Sequence, residues 1–136
     1  MSESEDLTAN GAAPQRISVS RHEKNLRQMR CVVTTSHPVT LHHCHGGSMM
    51  YLAGQNPGMG EKNNPFFQIP IILEYHTGVR GIDGSLGVDS WEALYDNQVN
   101  LLDEVNDQLD YDLWEQAKLW SKENWKSATP VVSHLS

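Results

Sequence analysis

The sequence predicts a small α+β domain, and three observations carry that expectation. Two short β-branched runs, C-V-V-T-T at 31–35 and V-T-L-H-H at 39–43, flank the turn signal S-H-P, where Pro38 constrains the backbone. They read as a β-hairpin. The stretch F-F-Q-I-P-I-I-L-E-Y-H-T-G at 66–78 has Pro70 where a helix begins and Gly78 where one ends. It reads as a short helix with His76 near its C-terminus. Finally, Trp91, Leu94, Tyr95, Leu101, Leu102, Val105 and Leu109 recur at helical spacing.

Residues 1–20 are polar, small and non-periodic, and are expected to form a disordered N-terminal arm. Residues 21–30 suit a short basic helix with a thin apolar stripe, Leu26 and Met29. In the hairpin that follows, alternation turns His42 and His43 to opposite faces. Residues 46–64 read as a long Gly-rich loop, of the kind that in a small domain serves function or moves. A second Gly-rich connection spans 79–89. Asp89 with Glu92 then has the spacing of a capping box. A further helix over about 111–125 carries Leu113, Trp114, Ala117, Leu119 and Trp120, and the last ten residues look loose. The expected organisation is an arm at 1–20, a domain at 21–126 and a flexible tail at 127–136. Trp91, Trp114 and Trp120 read as packing residues.

Composition narrows the function classes. A chain of 136 residues is the size of one domain. It lacks a transmembrane-length apolar run, and its first residues lack the basic and apolar regions of a signal peptide. A cytoplasmic protein without a membrane partner is expected. The net charge of −7 argues against a purely electrostatic nucleic-acid binder, because phosphate neutralisation needs Lys and Arg. Charge is uneven: Arg16, Arg21, Lys24, Arg27 and Arg30 crowd the start against Glu23, while residues 83–112 carry nine acids and no Lys or Arg. With only Cys31 and Cys44 present, any zinc site must recruit histidine or carboxylate.

The densest chemistry is L-H-H-C-H-G-G at 41–47. Phosphodiester hydrolysis needs a base to deprotonate water and a divalent ion to stabilise the phosphorane and leaving oxygen. A strand histidine titrates near working pH and suits the first role. A neighbouring strand residue with a helix histidine suits the second, leaving coordination positions open. Two other readings remain. One is a polar strand end that binds nothing. The other is a structural zinc site using Cys31, Cys44 and His45, although C-x2-C pairing is absent.

Several stretches together resemble a known family. They are C-V-V-T at 31–34, V-T-L-H-H-C-H-G-G-S-M at 39–49, G-M-G-E-K at 58–62, I-P-I at 69–71, E-Y-H-T-G at 74–78, G-I-D at 81–83 and G-V-D-S-W-E at 87–92, with a run ending at Trp114. Over about residues 30–118 the chain resembles phage proteins of the Ref type, RecA-dependent nucleases of the HNH or His-Me finger superfamily. The resemblance implies a ββα-metal core backed by C-terminal helices. It implies a hydrolase cutting DNA during bacteriophage recombination with Mg or Mn, and single-stranded or RecA-bound DNA as partner. It makes His43 the general base, with His42 and His76 holding the metal; alternation alone does not say which of the two strand histidines is the base. The paired cysteine knuckles of many HNH domains are missing, with Ile72 and Tyr75 where later cysteines would stand. The middle Asn of the pattern falls on Asn63 or Asn64.

Asp83 is expected as a metal ligand, as a partner orienting His76, or as a turn residue in G-I-D-G. Lys62 and Arg80 border the site as phosphate contacts or as solvated loop charges, and the basic residues 21–30 suit a DNA backbone or plain solvation. The alternative function is a non-catalytic accessory protein holding structural zinc and binding recombination intermediates or a host recombinase, with its acidic helix as docking face.

Overall fold

The computed structural model describes residues 15–55 and 64–133, with side chains described over 15–52 and 64–124. Among these residues the chain forms six helices and one two-stranded antiparallel sheet, a small α+β fold. In chain order the elements are α1 (Val19–Arg27), β1 (Thr40–His43), α2 (Gly47–Gln55), β2 (Gln68–Ile71), α3 (Leu73–His76), α4 (Val88–Leu94), α5 (Gln98–Asp107) and α6 (Leu113–Ser133). No helix among the described residues is long and apolar enough to cross a membrane.

Helix α1 begins where Ser18 leaves helical geometry and its hydroxyl accepts the Arg21 N–H, satisfying one orphan donor of the first turn. It buries His22 and Leu26 and closes with Lys24 and Arg27 against the negative end of its dipole. The expected arm therefore ends earlier than residue 20. Ile17 is buried, its N–H donates to Gln116 Oε1 at 2.9 Å, and Gln116 Nε2 donates to the Gln15 carbonyl at 2.7 Å. Residues 1–14 lie outside the described residues.

The expected hairpin is replaced by a different pairing. Residues 31–35 form a turn, in which Thr35 N–H donates to the Cys31 carbonyl at 2.8 Å and Thr35 itself has φ 62°. β1 pairs instead with β2, Thr40 opposite Ile71 and His43 opposite Gln68. The helix expected from Pro70 to Gly78 thus shrinks to the four-residue α3, which still ends on His76, while Pro70 falls inside strand β2. Pro70 is tolerated inside β2 because of its orientation. It lies opposite Leu41, and its carbonyl accepts Val32 N–H at 3.0 Å on the side away from β1. A residue's N–H and C=O leave an extended strand on the same side, so the donor that proline lacks belongs to the outer edge.

A two-stranded ladder is marginal on its own. Here all four β2 residues are buried, and the flanking Phe66 and Phe67 join Leu26, Trp91, Leu101, Leu102, Val105, Leu113 and Ala117 in one core. Burying each large apolar side chain stabilises the fold by roughly 1.5–3 kcal/mol. The tryptophans behave as packing residues: Trp91 is fully buried, and Trp114 lies against Phe67 at 5.5 Å between ring centroids. Asn64 is also structural, its amide donating to the Ala117 carbonyl and to Ser121 Oγ of α6.

Three further expectations change. Part of the supposed loop 46–64 is helix α2. The long helix after Asp89 breaks into α4 and α5, and Asn97 caps the second by accepting Asn100 N–H at 2.8 Å. The capping box at Asp89 does not form, because Gly87 occupies the N-cap and Glu92 is drawn to Ser48 and Gln98. Helix α6 runs to Ser133, through most of the expected tail.

Candidate metal centre

Four side chains from distant parts of the sequence meet over the face of β1 that carries Thr40 and His42. His42 projects from the buried face of β1 and is fully buried. His76 ends α3, His45 follows β1, and Asp83 comes from the Gly-rich connection after α3. That connection folds tightly back on α3: Ile82 N–H donates to the Tyr75 carbonyl at 3.0 Å and Asp83 N–H to the His76 carbonyl at 2.8 Å. Gly81 permits this approach, since a Cβ there would come within 2.5 Å of the His76 carbonyl oxygen.

The Asp83 carboxylate is the hub. Its Oδ1 accepts from His45 Nε2 at 2.7 Å, and its Oδ2 lies 3.0 Å from His42 Nδ1 and 3.3 Å from His76 Nε2. One ligand atom each from His42, His45 and Asp83 lie within 4.8 Å of one another, a group able to hold a metal ion. The His76 ring adjoins it, 5.2 Å from that of His42.

The surrounding hydrogen bonds decide which ring nitrogens carry protons. Thr40 O–H donates to the Ile71 carbonyl at 2.9 Å, so its oxygen can only accept from His76 Nδ1, also at 2.9 Å. His76 therefore carries a proton on Nδ1 and presents Nε2 to Asp83. His42 Nε2 lies 3.0 Å from Gln98 Oε1, an acceptor, and so carries the proton. His42 Nδ1 faces Asp83. Burial pushes the His42 pKa down, with His76 and His45 adding to that effect against Gln98 and Asp83. Partial burial pushes the Asp83 carboxyl up, but hydrogen bonds and charge from His45 and His42 outweigh it and hold it below the usual range. Three imidazole nitrogens thus converge on one ionised carboxylate, a donor set that a divalent cation could share once it displaces any ring protons facing Asp83.

Of the sequence-predicted residues, His42, His76, Asp83 and His45 come together. His43 lies on the exposed face of β1, away from this group. Cys31 and Cys44 do not join it. Cys31 is buried, with its sulfur accepting N–H bonds from Val33 and Ile72, and Cys44 is buried so deeply that its thiol pKa is pushed well up. A structural zinc built on the cysteines and His45 is therefore not assembled among the described residues, where His45 turns to Asp83 instead. Arg80 is exposed and held by Tyr75 Oη at 3.2 Å and Glu74 at 3.5 Å, with no hydrogen bond or ion pair to the cluster among the described residues. Lys62 and Asn63 lie outside the described residues.

Sequence reasoning missed Thr40, Gln98 and Glu92. Thr40 carries a usable signal, because it shares a strand face with His42 two positions on. Gln98 is 56 positions from His42 and carries none. The fold and site together define a small α+β protein with an imidazole–carboxylate cluster of metal-binding geometry. Comparison with family models, with curated proteins and with solved structures returns no match.

Proposed function

We propose that the protein is a divalent-metal endonuclease hydrolysing DNA phosphodiester bonds, with β1, β2 and α3 serving as a reduced ββα-metal core of the HNH type. The single observation carrying the metal reading is the convergence of ring nitrogens of His42, His45 and His76 on the Asp83 carboxylate. The nuclease reading draws on the Ref-type resemblance, whose H-H-C-H-G-G and E-Y-H-T-G-V-R-G-I-D stretches contain all four clustered residues.

In this reading His42, His76 and Asp83, joined by His45, hold the ion. When bound, it would act as a Lewis acid on the scissile phosphate and the leaving oxygen. His43 is the base that the resemblance assigns to the attacking water, and since it lies on the face of β1 opposite the cluster, the reading requires the strand end to turn when DNA binds. Arg80, and Lys62 outside the described residues, contact flanking phosphates. Three imidazoles and one carboxylate suit manganese, zinc or another transition ion better than magnesium, which prefers an all-oxygen shell. The net charge of −7 suits DNA delivered by a protein filament such as RecA rather than captured by charge alone.

The rival, a zinc-holding accessory protein without catalysis, is favoured by one observation. Among the described residues no hydrogen bond orients the His43 ring, whereas a general base is normally held by a third group. Cleavage of a labelled single strand and of a RecA-bound displacement loop, with manganese or magnesium, separates the two. The nuclease reading expects metal-dependent cutting that disappears in both His43→Ala and His42→Ala, with metal retained only by the former. Stoichiometric zinc with no cutting of either DNA would establish the accessory reading.

A further inference from the structure

Glu92 and Gln98 have no place in the proposed chemistry, yet they sit directly behind it. All four hydrogen-bonding positions of the Gln98 amide are occupied. Its Oε1 accepts from His42 Nε2 and from His45 N–H, both at 3.0 Å. Its Nε2 donates to the His45 carbonyl at 2.8 Å and to Glu92 Oε2 at 3.0 Å. Reversing the amide would set its NH2 against the His45 N–H and its oxygen against a carbonyl and a carboxylate. The orientation is thus imposed, and Glu92 is the charged part of what imposes it. Glu92 is anchored in turn, accepting from Ser48 N–H at 3.0 Å, Ser48 O–H at 2.7 Å and Gln98 N–H at 2.8 Å. It thereby joins the first turn of α2, helix α4 and the start of α5.

We infer that Glu92 and Gln98 are positioning residues: Glu92 fixes the Gln98 amide, and Gln98 fixes His42 as the Nε2–H tautomer, so that His42 offers Nδ1 to a divalent cation. This deepens the metal-site reading and rests on it for the cation, though the tautomer is a property of the protein alone. The chemistry is that of an outer partner which sets ring orientation and ligand basicity, here through a neutral amide that a carboxylate holds in register.

Long-range proton–nitrogen NMR of the histidine rings in chelator-treated full-length protein tests the tautomer directly, without a mutation. The expected result is His42 protonated at Nε2 and bare at Nδ1, with the Nδ1 resonance moving when zinc is added. A proton at Nδ1, or zinc shifting Nε2 instead, would overturn the inference while leaving a metal site intact. The Nε2–H tautomer in a protein that binds no zinc would sink the metal reading but leave the positioning role standing. In variants, Gln98→Met keeps the volume and removes the acceptor, and zinc affinity is expected to fall by about 10–100-fold. Gln98→Glu restores the acceptor but sets two carboxylates together, so adding Glu92→Gln is expected to recover affinity. That rescue would not occur if Gln98 were only a packing residue. Unchanged affinity and tautomer in folded Gln98→Met would refute the relay.

Discussion

His22 and His42 are both fully buried histidines, and they do opposite things. His22 sits on α1 in an enclosure of its own, its Nδ1 2.7 Å from Tyr111 Oη and its ring 4.7 Å from that of Phe66. Burial is the main cause pushing its pKa down to about 4, which fixes it as a neutral core residue. His42 is as inaccessible, but its neighbours are a carboxylate and two further imidazoles. Burial therefore does not distinguish a ligand from a core histidine. What distinguishes them is what the second ring nitrogen meets: for His42 a carboxylate shared with two other imidazoles, for His22 no hydrogen-bonding partner.

The largest expected effect that would break this contrast is at the hub. Asp83→Asn or His42→Ala should lower zinc or manganese affinity beyond the roughly 100-fold typical of outer-shell losses, as read by isothermal titration. His22→Ala should do the reverse, costing about 2–4 kcal/mol in urea unfolding through the cavity it leaves, with metal affinity untouched. Equal metal loss in both variants would mean that the cluster merely reports global stability.

A smaller effect concerns pH. The folded pKa of His22, about 4, lies below its unfolded value of 6.5, so between these values the unfolded chain binds the extra proton. Stability from this group is complete above 6.5 and is lost as pH falls toward 4, up to about 3 kcal/mol. Comparing wild type with His22→Phe over that window isolates the slope, since the carboxylates titrate in both. A wild-type slope no steeper than that of His22→Phe would show that His22 is not held neutral. Smallest should be Thr40→Val, which deletes the acceptor for His76 Nδ1–H. It is expected to weaken metal binding by about tenfold, with little change in the urea midpoint. No change in affinity would mean that His76 is not oriented through Thr40.

Some of this was legible in the chain. The opposite facing of His42 and His43 follows from strand alternation, and His76 ends a helix as its punctuation suggests. The apolar periodicity of Leu101, Leu102 and Val105 marks the inward face of α5. Local rules failed where long-range pairing decided. Residues 31–35 have strand-like composition, yet β1 takes its partner from Gln68–Ile71, because those residues bury both faces against the helices while Pro70 keeps its missing donor on the far side. Likewise Glu92 has capping-box spacing, but Ser48 and Gln98 offer it three N–H donors and a hydroxyl. No local pattern in a single sequence announces a glutamine that must meet a strand 56 positions away.

The contact between Val32 and Pro70 has a consequence beyond topology. A short sheet ordinarily leaves its outer strand as a template on which another chain can build, the usual beginning of edge-to-edge aggregation. On β2 that template is defective at Pro70, which has no hydrogen to offer and whose carbonyl is already bonded to Val32. Strand addition along that side would have to break an existing bond and would still gain one fewer. The ladder carrying His42 is thereby protected against self-association along β2.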